Sequence, residues 1–397
     1  MSAERQAVFQ DLGEHVDRLC TLDLRPPGPT SGYIGRFYQA VRELTAAPLA
    51  LSAAQCLHQI TPERTIVIAT GFCHPERLPY GETDGPPGAA SLARAVRHGL
   101  ACTPLILGEA AIEAPVQACV ESLGLHLHGD LAATRQDPCG VAFQAFPTEA
   151  AAAQLAAHQL LAQIGPAALV VTEKVGPNRL GVAHSAMGFA IPEGARALVE
   201  YLLDAAHAAG LPTIGVGDNG NDVGFGLIED LVRRYKPYGD VCQCPCGGGL
   251  ATVTRVNILV TAAVANWGAY GIVTCLAALR HQPDLLHSAA TELQMLDACV
   301  RAGAADGITG RQEATRRAAS SRARQYCRII TRPDCQGHLR AYNRREVWPR
   351  GRNCPRRKCG PASPKSPAGN WWMANYTTPF ALRRLSRRLG LCPASRW

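Results

Sequence analysis

Several features that would set this chain apart from an ordinary globular protein are missing from its sequence. The start, Met1–Gln6, contains charged residues and no long apolar core, so a secretory signal peptide is not expected. Sixteen cysteines occur, but most stand in apolar contexts typical of reduced, buried thiols, and the expected location is the cytoplasm. The uncharged run over residues 256–279 is interrupted by Asn257, Asn266 and Gly268, which favours a buried strand and helix over a membrane span.

Acidic residues are scarce in the last part of the chain. Residues 316–397 contain 20 Lys and Arg but only two Asp and Glu, whereas residues 1–315 contain 20 and 30. Three interpretations stay open: a disordered basic arm that binds nucleic acid, a small cysteine-bearing metal module without paired C-x2-C spacing, or the product of a frameshift in a GC-rich gene. We favour the frameshift, so nucleic acid is a partner only if this segment is genuine.

Strand-like and helix-like segments alternate through the rest of the sequence. Buried strands are predicted over residues 65–71, 104–107, 168–172, 213–214 and 256–261, and helices over 34–44, 48–56, 112–123, 149–163 and 192–209. This alternation predicts an α/β fold with a mostly parallel sheet flanked by helices. We expect a helical segment over residues 1–60 that packs on the main domain, an α/β domain over 61–314 and a basic tail of low order over 315–397.

Polar loops follow four of these strands, at residues 81–88, 173–184, 217–222 and 266–268. The third loop and the strand end before it contain Gly215, Gly217 and Gly220, which match the dinucleotide pattern G-x-G-x-x-G. Asp218 lies inside that turn, where a pyrophosphate would need hydrogen-bond donors, so nucleotide binding is disfavoured. Because the carboxyl ends of parallel strands meet at one edge of a sheet, the four loops predict one small-molecule site.

The order of these motifs resembles that of a known family. Thr70-Gly71-Phe72, Glu82-Thr83-Asp84-Gly85-Pro86, Glu173-Lys174, the loop from Gly215 to Gly224 and Asn266-Trp267-Gly268 occur in series. Together they resemble the D-glutamate cyclase C-terminal domain family over about residues 30 to 310. The family's glycine loop usually reads G-D-G-G-N-E, whereas here Asn219 replaces a glycine and the shorter Asp222 replaces a glutamate. Asn219 is expected to tolerate the positive φ of that turn.

The resemblance implies a lyase that converts D-glutamate to 5-oxo-D-proline and water. This reaction needs a base for the substrate ammonium and a cation near the γ-carboxylate. The candidate catalytic residues are Glu82, Asp84, Glu173, Lys174 and Asp218. The candidate substrate-binding residues are Thr70, Gly71, Thr83, Gly217, Asn221, Asp222, Asn266 and Trp267. Alternatives remain for each role, such as Glu82 as a helix cap, Glu173 and Lys174 as a surface ion pair, and Trp267 as packing.

Asp84 and Glu82 are expected to anchor the ammonium, and Lys174 to pair with a substrate carboxylate. No cofactor is certain, although Asp218 and Asp222 would suit a divalent metal such as Mn or Mg. A homo-oligomer is compatible with the sequence. A module that binds an acidic amino acid without turnover is the alternative function.

The motif Cys242-Gln243-Cys244-Pro245-Cys246 is interpreted as a structural loop. Its spacing is too tight for easy tetrahedral metal binding, and no histidine is near it in sequence. His184 is expected to be a structural histidine rather than a catalyst.

Overall fold

Seven parallel strands form one sheet at the centre of the structure, a computed structural model that describes residues 3–25 and 27–312. The strands are β1 (Thr65–Thr70), β2 (Thr103–Gly108), β3 (His126–His128), β4 (Gly140–Ala145), β5 (Ala168–Thr172), β6 (Thr213–Gly217) and β7 (Ile258–Thr261). Every residue of β1, β2, β5 and β6 is buried, as expected of parallel strands covered by helices on both faces. The predicted α/β class is therefore confirmed.

Two strands, β3 and β4, have no clear signal in the sequence. The edge strand β3 consists only of His126, Leu127 and His128, none of which is buried. Strand β4 begins with Gly140 and ends with two exposed residues. Both therefore lack the long, fully apolar run that marks the central strands.

The strand order is β3-β4-β2-β1-β5-β6-β7, so successive strands are added toward one edge of the sheet from β1 and toward the other edge from β5. From β1 the chain crosses to β2 on one side, and from β5 it crosses to β6 on the other. Right-handed crossovers then place the connecting helices on opposite faces, which opens a crevice at the carboxyl ends of β1 and β5. This crevice is where a ligand site is expected in such a sheet.

Helices cover the sheet and share one core with it. The α-helices of the described residues are α1 (Ala3–Cys20), α2 (Ile34–Glu43), α3 (Leu49–His58), α4 (Pro86–Arg94), α5 (Glu113–Ser122), α6 (Leu131–Gln136), α7 (Ala150–Ile164), α8 (Val199–Ala208), α9 (Glu229–Tyr235), α10 (Ala265–Arg280) and α11 (Ala289–Arg301). Helix α10 packs against α1, α3 and α4, and α7 packs against α8. Phe9, Val41 and Leu51, from the first three helices, belong to the same hydrophobic core as the strands.

Two predicted boundaries are wrong. The helix predicted over residues 192–209 begins only at Val199, because Gly194 adopts a φ of +74° and the Ala197 amide donates to Glu109 at 2.8 Å instead of to a helical carbonyl. Asn266-Trp267-Gly268 lies in the first turn of α10 rather than in a loop. No helix among the described residues is long and apolar enough to cross a membrane. The predictions for residues 315–397 lie outside the described residues.

Candidate active site

A cavity of about 740 Å³ lies at the carboxyl edge of the sheet, where the loops after β1, β5, β6 and β7 meet. Most of the predicted site residues line it: Glu82, Thr83, Asp84, Glu173, Asp218, Asn221, Asn266 and Trp267. Thr70, Gly71, Gly217 and Asp222 lie directly behind this lining, at or just beyond the ends of β1 and β6. The four polar loops therefore converge as the parallel sheet requires.

Asp84 and Asn266 join the loop after β1 to the start of α10. The Asp84 carboxylate accepts hydrogen bonds from the amides of Ala265 (3.0 Å) and Asn266 (2.7 Å), so it caps α10 from a distant part of the chain. The Asn266 side chain accepts from the amides of Gly85 and Gly88 and donates to the Thr83 carbonyl. Asp84, rather than Glu82, therefore acts as a helix cap. The side chains of Asp84 and Asn266 together hold the loop that carries Glu82.

Glu173 is held at the end of β5 in an unusual backbone conformation. Its φ is +48°, which costs a residue other than glycine of order 1–3 kcal/mol and occurs most often at functional sites. Gly85 packs against it with a φ of +102°, and a Cβ there would lie 2.7 Å from Thr70 Oγ1 and 3.1 Å from the Glu173 Cβ. A glycine at position 85 is therefore required for Thr70 and Glu173 to approach the loop.

The glycine loop after β6 is organised by Asp222. One oxygen of Asp222, Oδ2, accepts from the amides of Asp218 (2.9 Å) and Asn219 (3.1 Å), and its Cβ packs on Gly217. Gly220, with a φ of +82°, takes the left-handed position, so Asn219 does not need the positive φ that we expected of it. The Asn219 side chain instead accepts from the Tyr33 hydroxyl at 2.6 Å. The backbone amides that would bind a phosphate in a nucleotide-binding turn donate to the Asp222 carboxylate here.

Five carboxyl groups are crowded into this region: Glu82, Asp84, Glu173, Asp218 and Asp222. Burial raises the pKa of all five groups and is the largest contribution in each case. Repulsion from neighbouring carboxylates raises the pKa further for every group except Asp222. The pKa of Asp84 rises to about 6, limited by its backbone hydrogen bonds. A hydrogen bond with Glu173 partly offsets the rise of the Glu82 pKa. Ionising all five groups together is therefore unfavourable, and a cationic ligand would make it easier.

Three of these groups are arranged to hold a hard metal ion. Carboxylate oxygens of Glu173, Asp218 and Asp222 all lie within 4.8 Å of one another. Among the described residues, Glu173 Oε2, Asp222 Oδ1 and the side-chain oxygen of Asn221 have no hydrogen-bond partner although they are buried. Unsatisfied oxygens of this kind suit a divalent cation such as Mg²⁺ or Mn²⁺. Glu173 thus joins Asp218 and Asp222, which the sequence had suggested.

Lys174 does not take the position expected of it. Its ammonium forms a buried ion pair with Glu109 and donates to the Gly71 carbonyl at 2.8 Å, and its side chain does not line the cavity. Although the two residues are adjacent just after β5, Glu173 lines the cavity and Lys174 does not. Lys174 therefore links the ends of β1 and β2, away from the cavity in which it was expected to meet a substrate carboxylate, and its ion pair is buried and formed with Glu109 rather than exposed and formed with Glu173.

The cations near the site were missed by sequence reasoning. Arg25 lines the cavity and its Nη1 lies 3.3 Å from Asp218 Oδ2, while its Nη2 has no hydrogen-bond partner among the described residues. Lys236 is buried nearby, donating to the carbonyls of Pro29 and Ala186, and burial lowers its pKa to about 7. Neither residue belongs to a recognisable binding motif, although Lys236 follows Arg233 and Arg234, so only the fold reveals their place.

Comparison with known proteins shows which family the sequence of this chain matches. A family model described as "D-glutamate cyclase-like, C-terminal" matches residues 35–316. One curated relative, the mitochondrial D-glutamate cyclase of Homo sapiens, is 28% identical over 274 residues. The match covers 67% of this chain and 38% of the human protein, so the chain spans well under half the length of that relative.

Proposed function

The chain belongs to the D-glutamate cyclase-like, C-terminal family, and on that premise we propose that it is a lyase that closes D-glutamate to 5-oxo-D-proline with release of water. The observation that carries the proposal is the buried group of five carboxyls with raised pKa values around one cavity. Such a group attracts the substrate ammonium. The raised pKa values also favour protonation of part of the group, so that its members can both donate and accept protons.

The reaction forms one carbon–nitrogen bond and breaks one carbon–oxygen bond. The ammonium gives up two protons, its nitrogen attacks the γ-carboxyl carbon, and one γ-oxygen leaves with both protons as water. Glu82 and Glu173, which share a hydrogen bond, are proposed to act as a pair. The ionised member accepts a proton from nitrogen while the protonated member donates one to the leaving oxygen, and a second exchange with the roles reversed transfers the second proton and restores the pair. Holding both ends of one flexible substrate together supplies a further large part of the rate.

Substrate orientation is assigned to the groups around this pair. Asp218 holds the ammonium side, and the unpaired Nη2 of Arg25 holds a substrate carboxylate. In the alternative in which Glu173, Asp218 and Asp222 hold a divalent ion, that ion would polarise the γ-carboxyl group and take over the parts assigned to Glu173 and Asp218, which leaves Glu82 as the base. Asp84 and Asn266 act indirectly, by fixing the loop that carries Glu82.

The proposal is tested by incubating the purified chain with D-glutamate or L-glutamate and measuring 5-oxoproline by chiral chromatography with mass detection. Parallel reactions contain chelator, Mg²⁺ or Mn²⁺. We expect 5-oxo-D-proline from the wild type, none from Glu82→Gln, and wild-type rates from the exposed control Asp204→Asn. Saturable binding of D-glutamate without product would instead identify a non-catalytic module for an acidic amino acid.

A further inference from the structure

Three thiols and one imidazole meet beside the cavity, in a part of the chain that the reaction does not use. The Sγ atoms of Cys242, Cys244 and Cys246 lie 3.3–3.4 Å from one another. Nε2 of His184 lies 3.3 Å from the Cys244 sulfur and 3.5 Å from that of Cys246. Folding therefore brings His184 from some sixty positions away to a loop that has no histidine near it in sequence.

These distances are close to those of the corners of a metal-centred tetrahedron. Zinc–sulfur bonds of about 2.3 Å and zinc–nitrogen bonds of about 2.0 Å place sulfurs about 3.8 Å apart and nitrogen about 3.6 Å from sulfur. A disulfide would need sulfurs at about 2.05 Å, and all three cysteines are free. Three thiols and an imidazole that all face one point, slightly closer together than a bound ion would hold them, have the arrangement of a ligand set.

We propose that His184, Cys242, Cys244 and Cys246 bind a zinc ion. The chain supplies all four ligands, so the site is closed to substrate and its role is structural. The turn at Pro245 lets the C-x-C-x-C spacing work, since it folds Cys246 back toward Cys242. The Gly248 amide (3.4 Å) and the Asn178 side-chain amide (3.8 Å) approach the Cys246 sulfur, and such donors stabilise a metal-bound thiolate.

The proposed zinc site supports one wall of the cavity. Gln243, between two of the ligands, donates through its backbone amide to the Gly188 carbonyl (2.8 Å) and through its side-chain amide to the Met187 carbonyl (2.7 Å). Met187 lines the cavity. The His184 carbonyl accepts from the side chain of Asn221, in the glycine loop, at 2.9 Å. Metal binding would therefore fix both segments, whichever reaction the cavity performs.

The first test is metal analysis of the full chain, purified under reducing conditions without added metal. We expect wild type and the control Cys139→Ser, a half-buried free cysteine outside the cluster, to hold equal zinc. Cys244→Ser should hold about one equivalent less. The difference between variants assigns the metal, because five further cysteines occur beyond residue 316. Equal zinc in wild type and Cys244→Ser would overturn the proposal.

A second measurement needs no variant and remains decisive if Cys244→Ser does not fold. Wild-type protein is alkylated before and after treatment with chelator, and labelling is located by peptide mass spectrometry. The peptide with Cys242, Cys244 and Cys246 should be protected until chelator is added, whereas Cys139 should label equally in both samples. Labelling of the cluster without chelator, or protection that only a reductant removes, would contradict zinc binding.

Discussion

Replacing Asp218 by Asn tests whether charge at the cavity binds the substrate ammonium or a metal ion. The substitution keeps the shape of the side chain and the oxygen that accepts from Asn219, but it removes one of the three carboxylates that lie within 4.8 Å of one another. A unit cation about 5 Å from a carboxylate gains about 3 kcal/mol at an effective dielectric constant of about 20. That free energy corresponds to roughly a hundredfold change in affinity.

We therefore expect kcat/KM for 5-oxo-D-proline formation to fall about a hundredfold in Asp218→Asn, at about 1.4 kcal/mol per factor of ten. The free energy of unfolding without ligand should change by less, because two effects oppose each other. Arg25 loses a partner at 3.3 Å, but it keeps Asp23, and the repulsion between Asp218 and Asp222 disappears.

The assay combines steady-state kinetics, calorimetric titration with D-glutamate or Mn²⁺, and urea unfolding, with the exposed Asp204→Asn as the matched change of charge. Kinetics and affinities of Asp218→Asn within about threefold of wild type would refute the electrostatic reasoning, since a factor of three is only about 0.7 kcal/mol. A large loss of unfolding free energy would show that Asp218 mainly holds the loop together.

Three further predictions follow from the buried charges and the tight packing. Raised carboxyl pKa values mean that the folded, ligand-free protein binds more protons than the unfolded chain, so its unfolding free energy should fall as pH rises from about 4 through 6. Urea titrations of Glu82→Gln should show a smaller fall over this pH range, and a slope identical to that of wild type would contradict the assignment. Lys174→Met should lower the unfolding free energy by about 3–5 kcal/mol, because it leaves the buried Glu109 carboxylate without its cation, and the double variant with Glu109→Gln should recover part of that loss. A loss of activity at unchanged unfolding free energy would instead identify Lys174 as catalytic. Gly85→Ala should lower the stability by about 1–3 kcal/mol and should also lower kcat. The control Gly124→Ala has a φ of +73° but no atom close to the added Cβ, so it should affect stability alone. Equal behaviour of the two variants would contradict the argument that Gly85 is needed for packing on Glu173.

Local sequence patterns were sufficient for the central sheet. The continuous β-branched run Thr65–Thr70 and the run Ala168–Thr172 can be stable only when covered on both faces, and this is what predicts buried parallel strands. The short edge strand His126–His128 gave no such signal, since a half-exposed strand of three residues needs no apolar run. Gly194 likewise delayed the start of the predicted helix to Val199, through a backbone conformation that hydrophobic periodicity does not report.

The site was predictable to the extent that it follows from sheet topology. Polar loops after parallel strands must meet at one edge, so the sequence could place Glu82, Glu173 and Asp218 together. It could not say which polar group each of them faces. Asp84 proved to cap a helix that begins 181 positions further along, which no local pattern encodes.

The sequence by itself determined the α/β class, the family and the residues gathered at the carboxyl edge, because each follows from short-range patterns and the order of motifs. Only the tertiary structure decided which charges are paired. In the folded chain Lys174 pairs with Glu109, Arg25 pairs with Asp218, and His184 lies beside the three cysteines. These contacts join residues 60 to 193 positions apart, and their free energy depends on distance and burial in the folded chain, which exist only once the strands have crossed and packed.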